Sequence, residues 1–167
     1  MNELSPLNAL LNTLPQKGRV EWIGVRPARD APVIERQQVK ITKAGSVEGD
    51  RFSGGEGSKR QVTLIQAEHL SAIASLLHRP EADPALLRRN IVVSGINLLA
   101  LKDKSFYVGT VHLRFTGHCQ PCSKMERNFG PGGYNAVRGH GGITATVLGD
   151  GSVSVGDSVI AASEAQV

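Results

Sequence analysis

Cys119 and Cys122 are the only cysteines in the chain, and they form a C-x-x-C pair inside Phe115–Arg127, FTGHCQPCSKMER. A thiolate sulfur is a nucleophile and a soft metal ligand, so this pair opens metal, sulfur-transfer and dithiol chemistry. Tyr107–Phe115 alternates like a strand, and Pro121 suits the first turn of a helix, where its missing N–H bonds nothing. Ser123–Asn128 then reads as a short helical turn. A cysteine at a helix N-terminus meets the positive end of the macrodipole, which favours thiolate, and Lys124 and Arg127 add positive charge. Cys122 is therefore the expected reactive or metal-binding sulfur and Cys119 its neighbour. The plainer reading, a free cysteine as a small buried hydrophobe, stands beside it.

Three further stretches carry usable groups. Leu86–Ser94 (LLRRNIVVS) sets Arg88, Arg89 and Asn90 at the mouth of an apolar strand, where an arginine fork suits a phosphate or carboxylate. Phe129–Gly142 (FGPGGYNAVRGHGG) is glycine-rich around Arg138 and His140. Gly139 and Gly141 there allow backbone N–H groups to approach an anion closely. Thr42–Lys59 is rich in Gly, Ser and charge and reads as a loop. It contains Arg51 and lacks the Gly-Lys-Ser/Thr ending of a phosphate-binding Walker A motif. His140 and Lys124 are the candidate proton donors to a leaving oxygen. His69 and His78 read as polar-side residues of a helix without a required function.

The elements that must position these groups are mostly strands. Leucines at 7, 10, 11 and 14 predict a helix over Asn8–Leu14, with Ser5 as N-cap and Pro6 at its first position. Val20–Arg26 and Val33–Ile41 read as strands. Gln61–Ile65 reads as a strand running into a helix over Gln66–Leu77, with Ala67, Leu70, Ile73, Ala74 and Leu77 on one face. Phe106–Phe115 is strand, turn at Gly109, strand. Ile143–Leu148, the Gly149-Asp150-Gly151 turn and Ser152–Ile160 read as a hairpin, and Ala161–Val167 as a frayed tail. The tally is roughly seven short strands and two helices without regular βαβ alternation. The expected fold class is mostly β, a closed or nearly closed barrel with peripheral helices. One domain over 1–167 is expected, with 1–19 as an N-terminal helical extension.

Composition narrows the function classes. At 167 residues with 40% apolar and 20% charged residues, the chain can bury a core and is not disordered. Aromatics are only 4% and the net charge is +4, which argues against a stacking platform for nucleic acid and for a mild bias toward anions. No stretch approaches a membrane-spanning length, so no nucleic-acid or membrane partner is expected. The N-terminus lacks the basic and long apolar regions of a signal peptide, so a reducing cytoplasm, and no structural disulfide, is the expectation.

Several segments, in this order and spacing, resemble the MOSC domain, named for the C-terminal domain of molybdenum cofactor sulfurase. They are Gly49-Asp50-Arg51, Arg60–Ile65, Leu87–Gly95, Cys119-Gln120-Pro121-Cys122, Arg138–Gly142 and Gly151–Asp157. The likeness runs from Val20 to Ile160, and Trp22–Pro27 is similar to small stand-alone bacterial members. The resemblance implies a β-barrel that binds the molybdenum cofactor, molybdenum on a pyranopterin, with a cysteine sulfur that binds the metal or carries sulfur. It further implies reduction of a small N-hydroxylated substrate, of the hydroxylaminopurine or amidoxime type, with electrons from a separate donor protein. Pro121-Cys122 matches the Pro-Cys of the small bacterial members, which gives Cys122 the metal role. Arg88–Val92 matches the Arg-Pro-Asn-Ile-Val of the reductase branch. Arg88 and Asn90 thereby inherit contacts to the pterin phosphate, and Arg89 stands where that branch has proline. Arg51, Arg138, Gly139 and Gly141 complete the implied cofactor set. One departure is plain: the reductase branch has its metal-binding cysteine downstream of a C-x-x-C-like pair, and here no cysteine follows Cys122. The pyridoxal-phosphate desulfurase part of the sulfurase is also missing, so no pyridoxal phosphate site is expected.

Three other readings compete. Cys119, Cys122, His118 and His140 offer the donor types of a zinc site, although His118 adjoins Cys119 and would struggle to reach the same ion. A dithiol redox protein would use C-x-x-C, but within a βαβ context. A non-catalytic cofactor carrier, or a carrier of a Cys122 persulfide fed by a sulfur donor, uses the same residues as the reductase. The oligomeric state is not encoded in any motif.

Overall fold

The computed structural model describes residues 5–52 and 54–163. Among the described residues, eleven strands, five α-helices and one 3-10 turn follow one another. Seven strands close into a barrel: β1 (Gly18–Val25), β6 (Ile91–Ser94), β5 (Val62–Gln66), β9 (Ile143–Gly149), β8 (Val111–His118), β7 (Ser105–Val108) and β11 (Ser158–Ala161), which returns to β1. Closure removes the unpaired edges that an open sheet of this size would expose. β2 (Ile34–Arg36) hangs on β1. A small separate sheet holds β10 (Gly151–Ser154), β3 (Gln38–Thr42) and β4 (Ser46–Val47).

The period-2 geometry of strands divides the apolar residues between two cores. Val62, Leu64, Ile91 and Val93 point into the barrel with Val20, Ile23, Leu113 and Val159. Ile65 and Val92 point outward, under the helices, with Ile73, Leu87, Met125, Phe129, Ala136 and Val137. A fully buried aliphatic or Phe side chain contributes about 1.5–3 kcal/mol, so the central strands β5 and β6 anchor both layers. The outer layer is roofed by α2 (Ala67–Leu76), α3 (Pro84–Leu87), α4 (Ser123–Phe129) and α5 (Gly133–Val137).

Several sequence expectations change in three dimensions. Helix α1 covers Pro6–Leu11 with Ser5 capping Asn8 N–H, but Leu7, Leu10 and Leu11 are exposed and do not join the core. The expected strand Val33–Ile41 divides at Gln37 into β2 and β3, which belong to different sheets. The expected hairpin around Gly149-Asp150-Gly151 is not one: β9 pairs with β5 and β8, whereas β10 pairs with β3. The Asp150 carboxylate instead accepts from Lys43 N–H at 2.7 Å, which ties that turn to the end of β3. One βαβ crossover exists, since β5 and β6 are parallel and joined through α2 and α3. The cysteine pair lies outside it. Of the expected frayed tail, Ala161 closes β11 and Ala162 N–H donates to Ser105; residues 164–167, like residues 1–4, lie outside the described residues. Among the described residues, no helix is long and apolar enough to cross a membrane.

Candidate functional site

The register of β5 brings the key segments together. Leu64 is the partner of both Ile91 and Ile143, so the segments entering β6 and β9 flank the same strand. His118, at the end of β8, pairs with Ile143. Cys119 therefore lies beside the 138–142 turn, and its N–H donates to the Gly142 carbonyl at 2.8 Å. Cys119 is buried and Cys122 exposed, both as free thiols. Cys122 is the N-cap of α4, and Pro121 precedes the helix instead of opening it.

Arg89 reaches this junction from the mouth of β6. It is 7% exposed, and its Nε donates to the Gly141 carbonyl at 2.8 Å while Nη1 donates to Leu87 at 2.7 Å. Its second amino nitrogen, Nη2, is buried with no hydrogen-bond partner among the described residues. Burial lowers the basicity of this guanidinium. The nearby thiols of Cys119 and Cys122 oppose that effect, and Arg26 and Arg60 add to it. Gly141 packs into the same corner, where an added Cβ would collide with the Cys119 carbonyl and stand 3.4 Å from Nη2.

Arg26, Arg51, Arg88 and Lys124 are held by other partners. Arg26 grips Asp50 with its backbone N–H at 2.7 Å, Nε at 3.1 Å and Nη2 at 2.8 Å. Burial alone would raise the Asp50 carboxyl, but the bonds from Arg26 outweigh it and hold the carboxyl below its usual range. Arg51 follows, exposed, with its N–H on the Arg26 carbonyl. Arg88 sits in a left-handed conformation at the end of α3 and donates Nη1 to the Ala31 carbonyl at 2.6 Å. Burial lowers its basicity, and Arg26 and Arg51 lower it further. Lys124 pairs with Asp30 at 3.2 Å. Its bond to Asp30, ahead of the more distant Arg127 and Arg29, lowers that carboxyl. Arg88 and Lys124 thus both clamp the Ala28–Ala31 loop.

Asn90 and Arg138 sit differently. Asn90 is fully buried in the barrel wall. Its Oδ1 accepts from Thr63 N–H and hydroxyl, and its Nδ2 donates to Gly24 at 3.2 Å. It therefore laces β5, β6 and β1. Arg138 is exposed and bonds Asn135. The glycine-rich segment does cradle an anion, but one from the chain: Glu126 accepts from Gly132 and Tyr134 N–H at 2.8 and 2.9 Å. Those bonds, from Tyr134 first, lower its carboxyl.

His140 and Gly139 line a pocket of about 280 Å³ with His69, His118, Gln66 and Asn97. The His140 and His69 rings lie 5.2 Å apart, and His140 Nδ1 is buried without a partner among the described residues. His69 is thus brought to the site although its place in α2 marked it as a plain polar-side residue. Only the meeting of α2 with the 138–142 turn reveals it. Burial, then the proximity of His140, lowers the His69 imidazole.

The MOSC domain profile matches residues 49–160. The chain belongs to the MOSC domain family. That match contains Arg51, Arg88, Arg89, Asn90, both cysteines, Lys124 and the Arg138–Gly142 turn, while Arg26 and the Ala28–Ala31 loop precede it. The MOSC domain resembles, in fold, the YuaD protein from Bacillus subtilis, with a TM-score of 0.73 at 20% identity over 88% of this chain and 97% of that one. YiiM from Geobacillus stearothermophilus gives a TM-score of 0.70 at 17% identity, covering 87% of this chain and 75% of that one. YiiM from Escherichia coli gives 0.66 at 19%, covering 87% and 70%. No curated protein matches the sequence.

Proposed function

We propose that this MOSC domain binds the molybdenum cofactor with Cys122 as the protein's sulfur ligand and reduces small N-hydroxylated compounds there. The observation that supports the reading is the exposed Cys122 thiol on the segment that Cys119 ties to Gly142, next to the Gly141 carbonyl held by the incompletely bonded Arg89 guanidinium. The donor chemistry fits such a group. A protein-built metal centre needs three or four side-chain ligands, and no group of three His, Cys, Asp or Glu residues among the described ones could hold an ion. A cofactor that brings most of its own ligands needs only one soft sulfur from the chain. Its phosphate suits the cations Arg51 and Arg88, with Arg26 already committed to Asp50.

When bound, the cofactor supplies the redox chemistry that removes the N-hydroxyl oxygen. The chain's residues bind and orient. The pocket beside residues 139–142 takes the substrate, and His140 presents an imidazole nitrogen to it as proton donor. Lys124, held by Asp30, positions the loop over Arg88. Electrons come from a separate donor protein.

A second reading uses the same exposed sulfur: Cys122 carries a persulfide, with the Arg89 charge beside it. Elemental analysis by plasma mass spectrometry separates the two. Protein purified without oxygen from a host that makes the cofactor is expected to carry near-stoichiometric molybdenum, which Cys122→Ala loses. Molybdenum retained by Cys122→Ala would overturn the sulfur-ligand role. A sulfur adduct on Cys122 without molybdenum would favour the carrier.

A further inference from the structure

Arg89 is an electrostatic anomaly within its own fold. A buried cation needs an anionic partner or a full set of hydrogen bonds, because desolvation costs several kcal/mol per ion in practice (roughly, after relaxation). Two of its nitrogens satisfy backbone carbonyls, and Nη2 satisfies nothing. Among the described residues no carboxylate lies within ion-pair distance of it. Its charged neighbours, Arg26 and Arg60, make matters worse. Across Gly141 it faces the cysteine segment, since a Cβ there would meet both the Cys119 carbonyl and Nη2, and Cys119 N–H bonds the Gly142 carbonyl at 2.8 Å. Hydrophobic filling would have been simpler at this position, since a residue that only closed the wall would need no charge.

We infer that Arg89 is the anion-recruiting residue of the cysteine site, and that the molecule meeting Cys122 carries an oxyanion, a carboxylate or phosphate, which this guanidinium attracts. The inference rests on the reading above only in taking Cys122 as the working sulfur. The geometry explains why the charge acts at Cys122. The guanidinium is fixed by Gly141 and Leu87, so its position costs no further ordering. It is walled by protein, where a charge acts more strongly than in water. The segment beside it runs from the buried Cys119 to the exposed Cys122 three residues on, which joins the guanidinium to the surface along one short stretch of chain. Gly141 lets the Cys119 backbone close against this corner, since any Cβ there would meet the Cys119 carbonyl and stand 3.4 Å from Nη2.

The test compares two alkylating reagents at Cys122, followed by mass spectrometry of the mapped peptide. Iodoacetate is an anion and iodoacetamide is neutral. In both cases the thiolate sulfur forms a bond to the reagent carbon and iodide leaves. The thiolate fraction cancels in the ratio of the two rates, which isolates the pull on the reagent's carboxylate. The ratio is expected to fall several-fold in Arg89→Gln and to be largely kept in Arg89→Lys. An unchanged ratio in Arg89→Gln overturns the inference. An equal fall in Arg114→Gln, at an exposed arginine of β8, also overturns it, because the attraction would then be a diffuse surface field. Should Arg89→Gln fail to fold, inorganic phosphate at constant ionic strength supplies the readout. It is expected to slow iodoacetate more than iodoacetamide in both the wild type and Arg114→Gln, and equal slowing overturns the inference. The alkylation ratio needs no molybdenum, so it can fail or hold independently of the elemental analysis.

Discussion

The N–H of Cys119 donates to the carbonyl of Gly142 at 2.8 Å, joining the cysteine segment to the glycine-rich turn that follows it by about twenty residues. The same turn carries His140 and the Gly141 carbonyl that Arg89 holds, so the cysteine segment, the guanidinium and that imidazole meet along one piece of backbone.

The turn tolerates no side chain where it meets Cys119. Gly141→Ala would drive a Cβ into the Cys119 carbonyl oxygen, and overpacking of this kind costs about 1–3 kcal/mol. Gly139 has φ +80 but open space around it, so Gly139→Ala costs only the left-handed penalty of about 1–2 kcal/mol. Urea unfolding is expected to show both losses. Only Gly141→Ala should also change the alkylation rate of Cys119.

Asn90 has a lacing position in the barrel wall. Asn90→Ala strands the Thr63 N–H and the Gly24 carbonyl, and each buried group left unpaired costs about 1–3 kcal/mol. The expected result is a clear fall in unfolding free energy. An Asn90→Ala protein as stable as the wild type that had lost only molybdenum would return this residue to the cofactor.

Asp50 predicts acid sensitivity. Its folded carboxyl lies below its ordinary value, so the folded state gains stability above the unfolded pKa of about 4 and loses it as pH falls through the lower folded value. Asp50→Ala leaves the mostly buried Arg26 without its carboxylate, a loss on the order of 3 kcal/mol at neutral pH. Melting curves should show the gap between the variant and the wild type closing as the pH drops below 4 (roughly the ordinary carboxyl value).

His69 should titrate below the ordinary imidazole value of 6.5. Its folded value is lowered, so protonation penalises the folded state as pH falls below the unfolded value. The contribution is absent at higher pH, where both states are neutral. An NMR titration is expected to find the low value in the wild type and to move it upward in His140→Ala. No movement would mean that burial alone sets it.

Much of this was legible in one dimension because it depended on local rules. Ser5-Pro6 starts a helix through its cap and a fixed φ, whereas the short helix Pro84–Leu87, capped by Asp83 in the same way, was not legible because its prolines look like breaks. β5, β6 and the α2 face follow from strand and helix periodicity, and the family-like segments pointed to the MOSC barrel. The failures were of another kind. The Gly149–Gly151 turn has hairpin chemistry, yet Asp150 bonds Lys43 and the strands part, because their best partners are distant in sequence. The leucine spacing carried the first helix on to Leu14, but α1 ends at Leu11, and Leu14 packs against the barrel core from the segment beyond it.

The sequence by itself determined a β-rich barrel, the thiols available for chemistry and the surplus of arginine near them, since composition and periodicity act through each residue's own neighbours. Tertiary structure decided which arginine is buried and lacks a full set of bonds, and which side chain of Arg88-Arg89-Asn90 clamps a loop, faces the cysteines or laces the wall. It also brought His69 to His140. Those outcomes depend on strand register across β5 and on desolvation, and both exist only once distant segments pack together.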